Sequence, residues 1–71
     1  MRHIAFIGFG EAGTILASEL AHQHRVAVWD CKLRGGDREA MLAKAERAGV
    51  QAAGSLAEAL DGAAWVFLTV T

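Results

Sequence analysis

The sequence predicts an α/β protein that forms the first part of a doubly wound parallel sheet, with the element order β-α-β-α-β-α-β and the strand order 3-2-1-4. The chain contains continuous apolar runs that do not alternate with polar residues, and segments with helical spacing lie between them. Strands that are apolar on both faces are typical of parallel sheets covered by helices on both sides. Strand-helix-strand alternation also favours right-handed crossovers between parallel strands.

Four short runs predict the strands. Residues 4–7, 25–30 and 64–70 are strongly apolar, and residues 50–53 predict a short third strand. The simplest layout has the first strand at the centre, the second and third on one side and the fourth on the other. In such sheets the ligand crevice lies where the strand order reverses.

The first helix is predicted between the first two strands. Four apolar residues recur there at helical spacing and predict its buried face: Ala12, Ile15, Leu16 and Leu20. The two tryptophans, Trp29 and Trp65, lie in the second and fourth runs, and we expect both to be core aromatics.

The second and third helices are predicted from composition and capping. Residues 37–48 are rich in strong helix formers, with Asp37 as the expected N-cap and Gly49 as the expected C-terminal stop. Ser55 and Glu58 fit a capping box that opens a short third helix, which ends near residue 61.

Composition excludes several classes of protein. The 71 residues carry a net charge of -1, so no basic face for nucleic acid is expected, and the single cysteine excludes an intramolecular disulfide framework. No apolar run approaches the roughly 18 residues that span a bilayer, and no signal peptide is evident, so we expect a cytoplasmic protein.

Since 54% of so short a chain is hydrophobic, we expect it to be part of a larger enzyme and to be marginally stable or aggregation-prone alone.

The turn between the first strand and the first helix is a glycine-rich motif. It matches G-x-G-x-x-G and comprises Gly8, Phe9, Gly10, Glu11, Ala12 and Gly13. In dinucleotide-binding proteins the first glycine permits the tight turn, the second lets the backbone approach a pyrophosphate, and the third allows helix and sheet to pack closely. The motif therefore predicts a pyrophosphate at the start of the helix, although a plain strand-to-helix turn is the alternative.

Asp30 ends the second strand, 20 residues after Gly10. A carboxylate there can accept hydrogen bonds from adenosine ribose hydroxyls, and it disfavours a 2′-phosphate, so NAD is favoured over NADP. Lys32 and Arg34 could attract a 2′-phosphate, which leaves NADP open. The alternative for Asp30 is a simple turn residue. We also expect Cys31 to line the adenine side of the site and Glu11 to point away from the phosphates.

Residues 4–20 resemble the amino terminus of the β-hydroxyacid dehydrogenases, the group of 6-phosphogluconate and 3-hydroxyisobutyrate dehydrogenases. That opening reads G-L-G-x-M-G-x-x-M-A-x-N-L after a strand. The chain matches it at Gly8, Gly10, Gly13, Ala17 and Leu20, and departs from it at Phe9, Ala12, Leu16 and Glu19. Residues 49–59 and 63–70 are similar to the family's second segment, G-V/A-x-x-A-x-S-x-x-E-A followed by an apolar strand.

The resemblance implies a Rossmann domain of an NAD(P)-dependent dehydrogenase that transfers hydride between a small hydroxyacid and the nicotinamide. Residues 1–71 would be part of that domain, with the lysine general acid/base and the substrate domain elsewhere in a homo-oligomeric parent protein. Neither Lys32 nor Lys44 matches that lysine, and we expect Lys44 on an exposed helix face. The resemblance also brings the end of the fourth strand near the nicotinamide ribose, namely Thr69, Val70 and Thr71.

Two other functions are compatible with the sequence. One is a different Rossmann dehydrogenase, related to prephenate dehydrogenase or pyrroline-carboxylate reductase. The other is a non-catalytic dinucleotide-sensing module. Because neither lysine matches the family's general acid/base, no catalytic residue is predicted within the chain. No metal ligands are predicted either, because His22 and His24 lack the i, i+4 spacing of helical metal ligands.

Overall fold

The computed structural model describes residues 2–30 and 38–69, and strands and helices alternate along them as predicted. The elements are β1 (His3–Ile7), α1 (Glu11–Leu20), β2 (Arg25–Trp29), α2 (Arg38–Ala48), β3 (Gln51–Ala52), α3 (Leu56–Leu60) and β4 (Trp65–Leu68). The strands have nearly the bounds that their apolar runs predict. No helix in these two ranges is long and apolar enough to cross a membrane.

The four strands form one parallel sheet in the order β3-β2-β1-β4, which confirms the predicted topology. Ala5 of the central strand lies opposite Ala27 of β2 and Val66 of β4. Phe6 is fully buried, and its ring stacks on that of Phe67 with the centroids 5.0 Å apart. The carboxyl ends of β1, β2 and β4 therefore meet at one edge of the sheet.

Helix α1 packs on the sheet through small residues, and the predicted buried face is wrong. Gly13 and Ala17 are the buried residues of this helix, whereas Ile15 and Leu16 are 63% and 42% exposed. Ala12 is also exposed, and of the four predicted residues Leu20 alone packs against the core. Around Gly13 the helix approaches the sheet so closely that small residues form the contact.

Helix α2 ends as predicted. Gly49 follows it with a positive φ of 76°, in the region that favours glycine. The N–H groups of Gly49 and Val50 donate to the carbonyls of Glu46 and Ala45, which satisfies the end of the helix. Met41 and Ala45 are its buried residues. The predicted N-cap, Asp37, lies outside the described residues.

Helix α3 begins with the predicted cap. The hydroxyl of Ser55 accepts a hydrogen bond of 3.1 Å from the N–H of Glu58. The carboxylate of Glu58 accepts from the N–H of Gly54, at 3.0 Å, and not from that of Ser55. The two side chains thus satisfy two backbone donors, with the second bond moved by one residue from the usual capping box.

Strand β4 forms one edge of the described sheet, and its side chains are largely exposed. Leu68 is 72% exposed and Trp65 is 57% exposed, so the prediction of Trp65 as a core residue is wrong. Trp29 is half-buried and packs against the core, as predicted. Trp65 differs from Trp29 because β2 is an interior strand, paired on both sides, while β4 pairs with β1 alone among the described strands.

Candidate functional site

The glycine-rich loop connects β1 to α1 at the carboxyl edge of the sheet. Gly8 has a φ of 100°, a conformation that side chains disfavour. Its N–H donates to the carbonyl of Trp29 at 2.7 Å, and its carbonyl accepts from the hydroxyl of Thr69 at 2.6 Å. The first residue of the loop is therefore bonded to the ends of both β2 and β4.

Gly13 lies where α1 comes closest to the end of β4. A Cβ atom at this position would lie 2.6 Å from the Oγ1 atom of Thr69 and 3.0 Å from the carbonyl oxygen of Gly8. A methyl group there would force Thr69 to shift and the carbonyl of Gly8 to give by a few tenths of an ångström. Glycine therefore favours close packing of helix and sheet at this position, which is the role that the motif predicts for its third glycine.

Gly10 is required neither by its backbone conformation nor by its neighbours. Its φ and ψ are −79° and −165°, which any residue adopts, and a Cβ atom there would have no neighbour within 4 Å among the described residues. The space in front of this glycine is open. An extended backbone without a side chain beside open space is what the close approach of a ligand requires.

The start of α1 is suited to an anion. Gly10 is the N-cap of the helix, and none of the described side chains caps it. The first N–H groups of a helix have no partner within the helix, and the helix dipole adds a partial positive charge there. Together with the open space at Gly10, this end of the helix can accept a diphosphate.

Asp30 contacts the glycine-rich loop directly. It follows β2 and is half-buried, and its Oδ2 atom accepts a hydrogen bond of 2.8 Å from the N–H of Phe9. This carboxylate therefore orients the loop, a role that the sequence did not reveal. Its predicted contact with a ribose stays a prediction.

Lys44 also contacts the loop, and the prediction of an exposed, solvated Lys44 is wrong. Its Nζ atom donates to the carbonyl of Phe9 at 2.7 Å and lies 5.0 Å from the centroid of the Phe9 ring. Lys44 is half-buried because it lies beside Met41 and Ala45, the buried residues of α2. That position next to Met41 and Ala45 is a sequence signal for a half-buried side chain, but no local pattern indicates the contact with Phe9.

Comparison with known families agrees with this geometry. Residues 3–71 match the family described as NADP oxidoreductase, coenzyme F420-dependent. The chain belongs to this family. Its membership and its fold indicate an NAD(P)-dependent oxidoreductase with a Rossmann-type domain, as the sequence predicted. No curated protein matches the chain.

The fold brings most of the oxidoreductase's predicted site residues together. The glycine-rich loop, Asp30 and Thr69 meet at the carboxyl edge of the sheet, joined by the hydrogen bonds given above. Glu11 and Ala12 are exposed at the start of α1. Four further predicted site residues lie outside the described residues: Cys31, Lys32, Val70 and Thr71.

The histidines of this family member lie away from the loop. His22 and His24 follow the far end of α1, and the Nδ1 atom of His24 accepts a hydrogen bond of 3.2 Å from the N–H of Arg2. Within residues 2–30 and 38–69, no group of three or more His, Cys, Asp or Glu side chains could hold a metal ion.

Proposed function

We propose that residues 8–13 bind the pyrophosphate of a nicotinamide dinucleotide and that Asp30 binds the adenosine ribose. The open space in front of Gly10 is the observation that carries this proposal, because nothing else in the described chain explains a glycine there. The uncapped start of α1 supports it, since its N–H groups and dipole favour a diphosphate.

The bound dinucleotide would supply the hydride chemistry, and the residues of this chain would bind and orient it. Gly8 and Gly13 allow α1 to begin close to the end of β4, which sets the position of the helix N-terminus. Thr69, Val70 and Thr71 would approach the nicotinamide ribose, and Cys31 and Lys32 the adenosine. In this proposal the general acid/base lies outside residues 1–71.

We further propose that NAD is preferred to NADP. A carboxylate at the end of β2 repels a 2′-phosphate and accepts hydrogen bonds from a free ribose. The description of the family names NADP, and Lys32, two residues after Asp30 in the sequence, could attract a 2′-phosphate. The test therefore has to compare the two dinucleotides directly.

Replacing Asp30 tests both the site and the preference. We expect Asp30→Asn to raise the affinity for NADPH relative to NADH by about tenfold, or about 1.4 kcal/mol, because the negative charge is lost. Asparagine keeps an oxygen that can accept the bond from Phe9, so the loop should stay in place. Fluorescence titration of the full-length protein with NADH and NADPH measures the ratio. Binding of neither dinucleotide to the unsubstituted protein would reject the proposed function.

For the whole reaction, we propose hydride transfer between NAD(P) and a small hydroxyacid in a homo-oligomeric parent protein. The two sequence segments similar to β-hydroxyacid dehydrogenases support this substrate class. The second candidate is hydride exchange between NADP and coenzyme F420, which the description of the matched family favours.

An assay can separate the two reactions. The full-length protein would be incubated with NAD⁺ or NADP⁺ and either a panel of small hydroxyacids or reduced coenzyme F420. The absorbance of the reduced nicotinamide reports the transfer. Turnover with a hydroxyacid but not with reduced coenzyme F420 supports the first candidate. Turnover with reduced coenzyme F420 but not with any hydroxyacid supports the second.

A further inference from the structure

The backbone of Phe9 is held from both sides by charged residues. The carboxylate of Asp30 accepts from its N–H at 2.8 Å, and the ammonium of Lys44 donates to its carbonyl at 2.7 Å. Its ring is 1% exposed and lies beneath the same ammonium. These contacts join β2, the glycine-rich loop and α2 at one residue.

The contact with Lys44 sets the orientation of the next peptide group. A trans peptide is planar, so the carbonyl of Phe9 and the N–H of Gly10 point in opposite directions. With the carbonyl bound to Lys44, the N–H of Gly10 points away from that ammonium. Glycine tolerates many backbone conformations. Gly10 itself therefore does little to fix the orientation of the Phe9–Gly10 peptide group.

From this geometry we propose that Lys44 is a positioning residue for the dinucleotide. Its ammonium holds the Phe9–Gly10 peptide so that the N–H of Gly10, and not the carbonyl of Phe9, faces the pyrophosphate. A rotated peptide would direct a carbonyl oxygen at a diphosphate, and the two negative groups would repel each other. This role rests on the proposed function.

The ammonium of Lys44 is directed at the glycine-rich loop. Its described contacts are the carbonyl and the ring of Phe9. Lys44 should therefore act equally on NAD and NADP. It should act on any ligand that contains the pyrophosphate and have no effect on adenosine, which lacks phosphate.

The test compares Lys44→Met with Arg47→Met in the full chain. Arg47 lies one turn further along α2, is exposed and carries the same charge, so it is a matched control. We expect Lys44→Met to weaken the binding of NADH, NADPH and ADP-ribose by a common factor of about ten, the equivalent of one hydrogen bond. Adenosine binding should not change, and Arg47→Met should leave all four affinities within about twofold. Lys44→Arg, which keeps the charge and the donor, should restore most of the affinity.

Several results would overturn the proposal. A selective loss for NADPH would place Lys44 at the 2′-phosphate, and an equal loss for adenosine would indicate a general structural role. Unchanged binding of ADP-ribose would show that Lys44 does not orient the loop. Should Lys44→Met not fold, Lys44→Gln takes its place, because its side chain is uncharged, polar and shorter than that of lysine.

A measurement on the ligand-free protein separates this proposal from the proposed function. The amide nitrogen and proton shifts of Gly10 report the orientation of its peptide group. We expect them to move in Lys44→Met and to stay in place in Arg47→Met. If the unsubstituted protein binds no dinucleotide but the Gly10 amide moves, the proposed function fails while the contact is established. If the amide does not move, Lys44 does not position the loop.

Discussion

The three glycines of the loop lie in three different environments. Gly8 adopts a positive φ, Gly13 lies against Thr69 and the carbonyl of Gly8, and Gly10 faces open space. The first two are explained by the fold itself. Only Gly10 has no explanation in the described residues, so under the proposed function its replacement should affect dinucleotide binding and not stability.

Alanine at Gly13 should destabilise the fold. The added Cβ atom would lie 2.6 Å from the Oγ1 atom of Thr69, and such overpacking costs about 1–3 kcal/mol. Urea denaturation measures the loss. The double variant Gly13→Ala/Thr69→Ala should lose less than the sum of the two single variants, because the closest contact is absent. Strict additivity would show that the two residues do not touch.

Alanine at Gly10 should leave the stability of the fold nearly unchanged and affect ligand binding instead. Its Cβ atom meets nothing within 4 Å, and the free energy of unfolding should change by less than about 1 kcal/mol. If the proposed site is correct, dinucleotide binding should be lost, because the methyl group would occupy the space proposed for the pyrophosphate. The same titration with NADH provides the measurement, and unchanged binding would contradict the proposed site.

The sequence predicts the motif residues of this site better than the residues that support them. The glycine spacing and Asp30 were visible as a pattern along the chain. The role of Lys44 was not visible, because Lys44 is 35 residues away from Phe9. A lysine on a helix is expected to be solvated unless the packing of that helix is known. Contacts of this kind depend on how α2 lies against the loop, which a local pattern does not contain.

At the scale of the elements, helix α1 shows where hydrophobic periodicity fails. The pattern assigned Ile15 and Leu16 to the buried face, but the helix packs through Gly13 and Ala17. Periodicity ranks residues by hydrophobicity, whereas close packing against a sheet selects them by size. Caps are more predictable, because they depend on residues within a few positions, as at Ser55 and Gly49.

Removal of the cap of α3 should lower stability. Ser55→Ala leaves the N–H of Glu58 without its side-chain acceptor, and the loss of such a cap costs about 1 kcal/mol. Ser18→Ala is the control, since that hydroxyl donates to the carbonyl of Ile15 within α1 and alanine is the better helix former. Urea denaturation of both variants should show a loss for Ser55→Ala alone. Equal stability of the two variants would mean that the cap contributes little.

At the scale of the whole molecule, the topology was predictable because few arrangements satisfy the rules for parallel strands. Right-handed crossovers and a glycine-rich turn after the first strand led to the order 3-2-1-4, which the structure has. The exposure of β4 follows from that order, although the sequence placed Trp65 in the core. An apolar sequence therefore predicts that a segment is a strand, but it does not predict that the side chains of that strand are buried.

The exposed side chains of β4 should promote self-association. Leu68 is 72% exposed on an edge strand, and such edges can pair with another chain. We expect Leu68→Lys to reduce association of the 71-residue chain at high concentration, as measured by sedimentation velocity. Leu56→Lys, at a leucine on α3 that is 41% exposed, should have a smaller effect. Equal effects would show that total hydrophobicity, and not the strand edge, drives association.

The hydrogen bond between Thr69 and Gly8 has a consequence for the folding of the chain. It joins residues separated by 61 positions, so the loop reaches its final geometry only after β4 has docked beside β1. Contacts between such distant residues form at the highest cost in chain entropy. A ligand that requires the finished loop would therefore recognise only molecules in which β4 is in place. Dinucleotide affinity would then report the completion of folding as well as the chemistry of the loop.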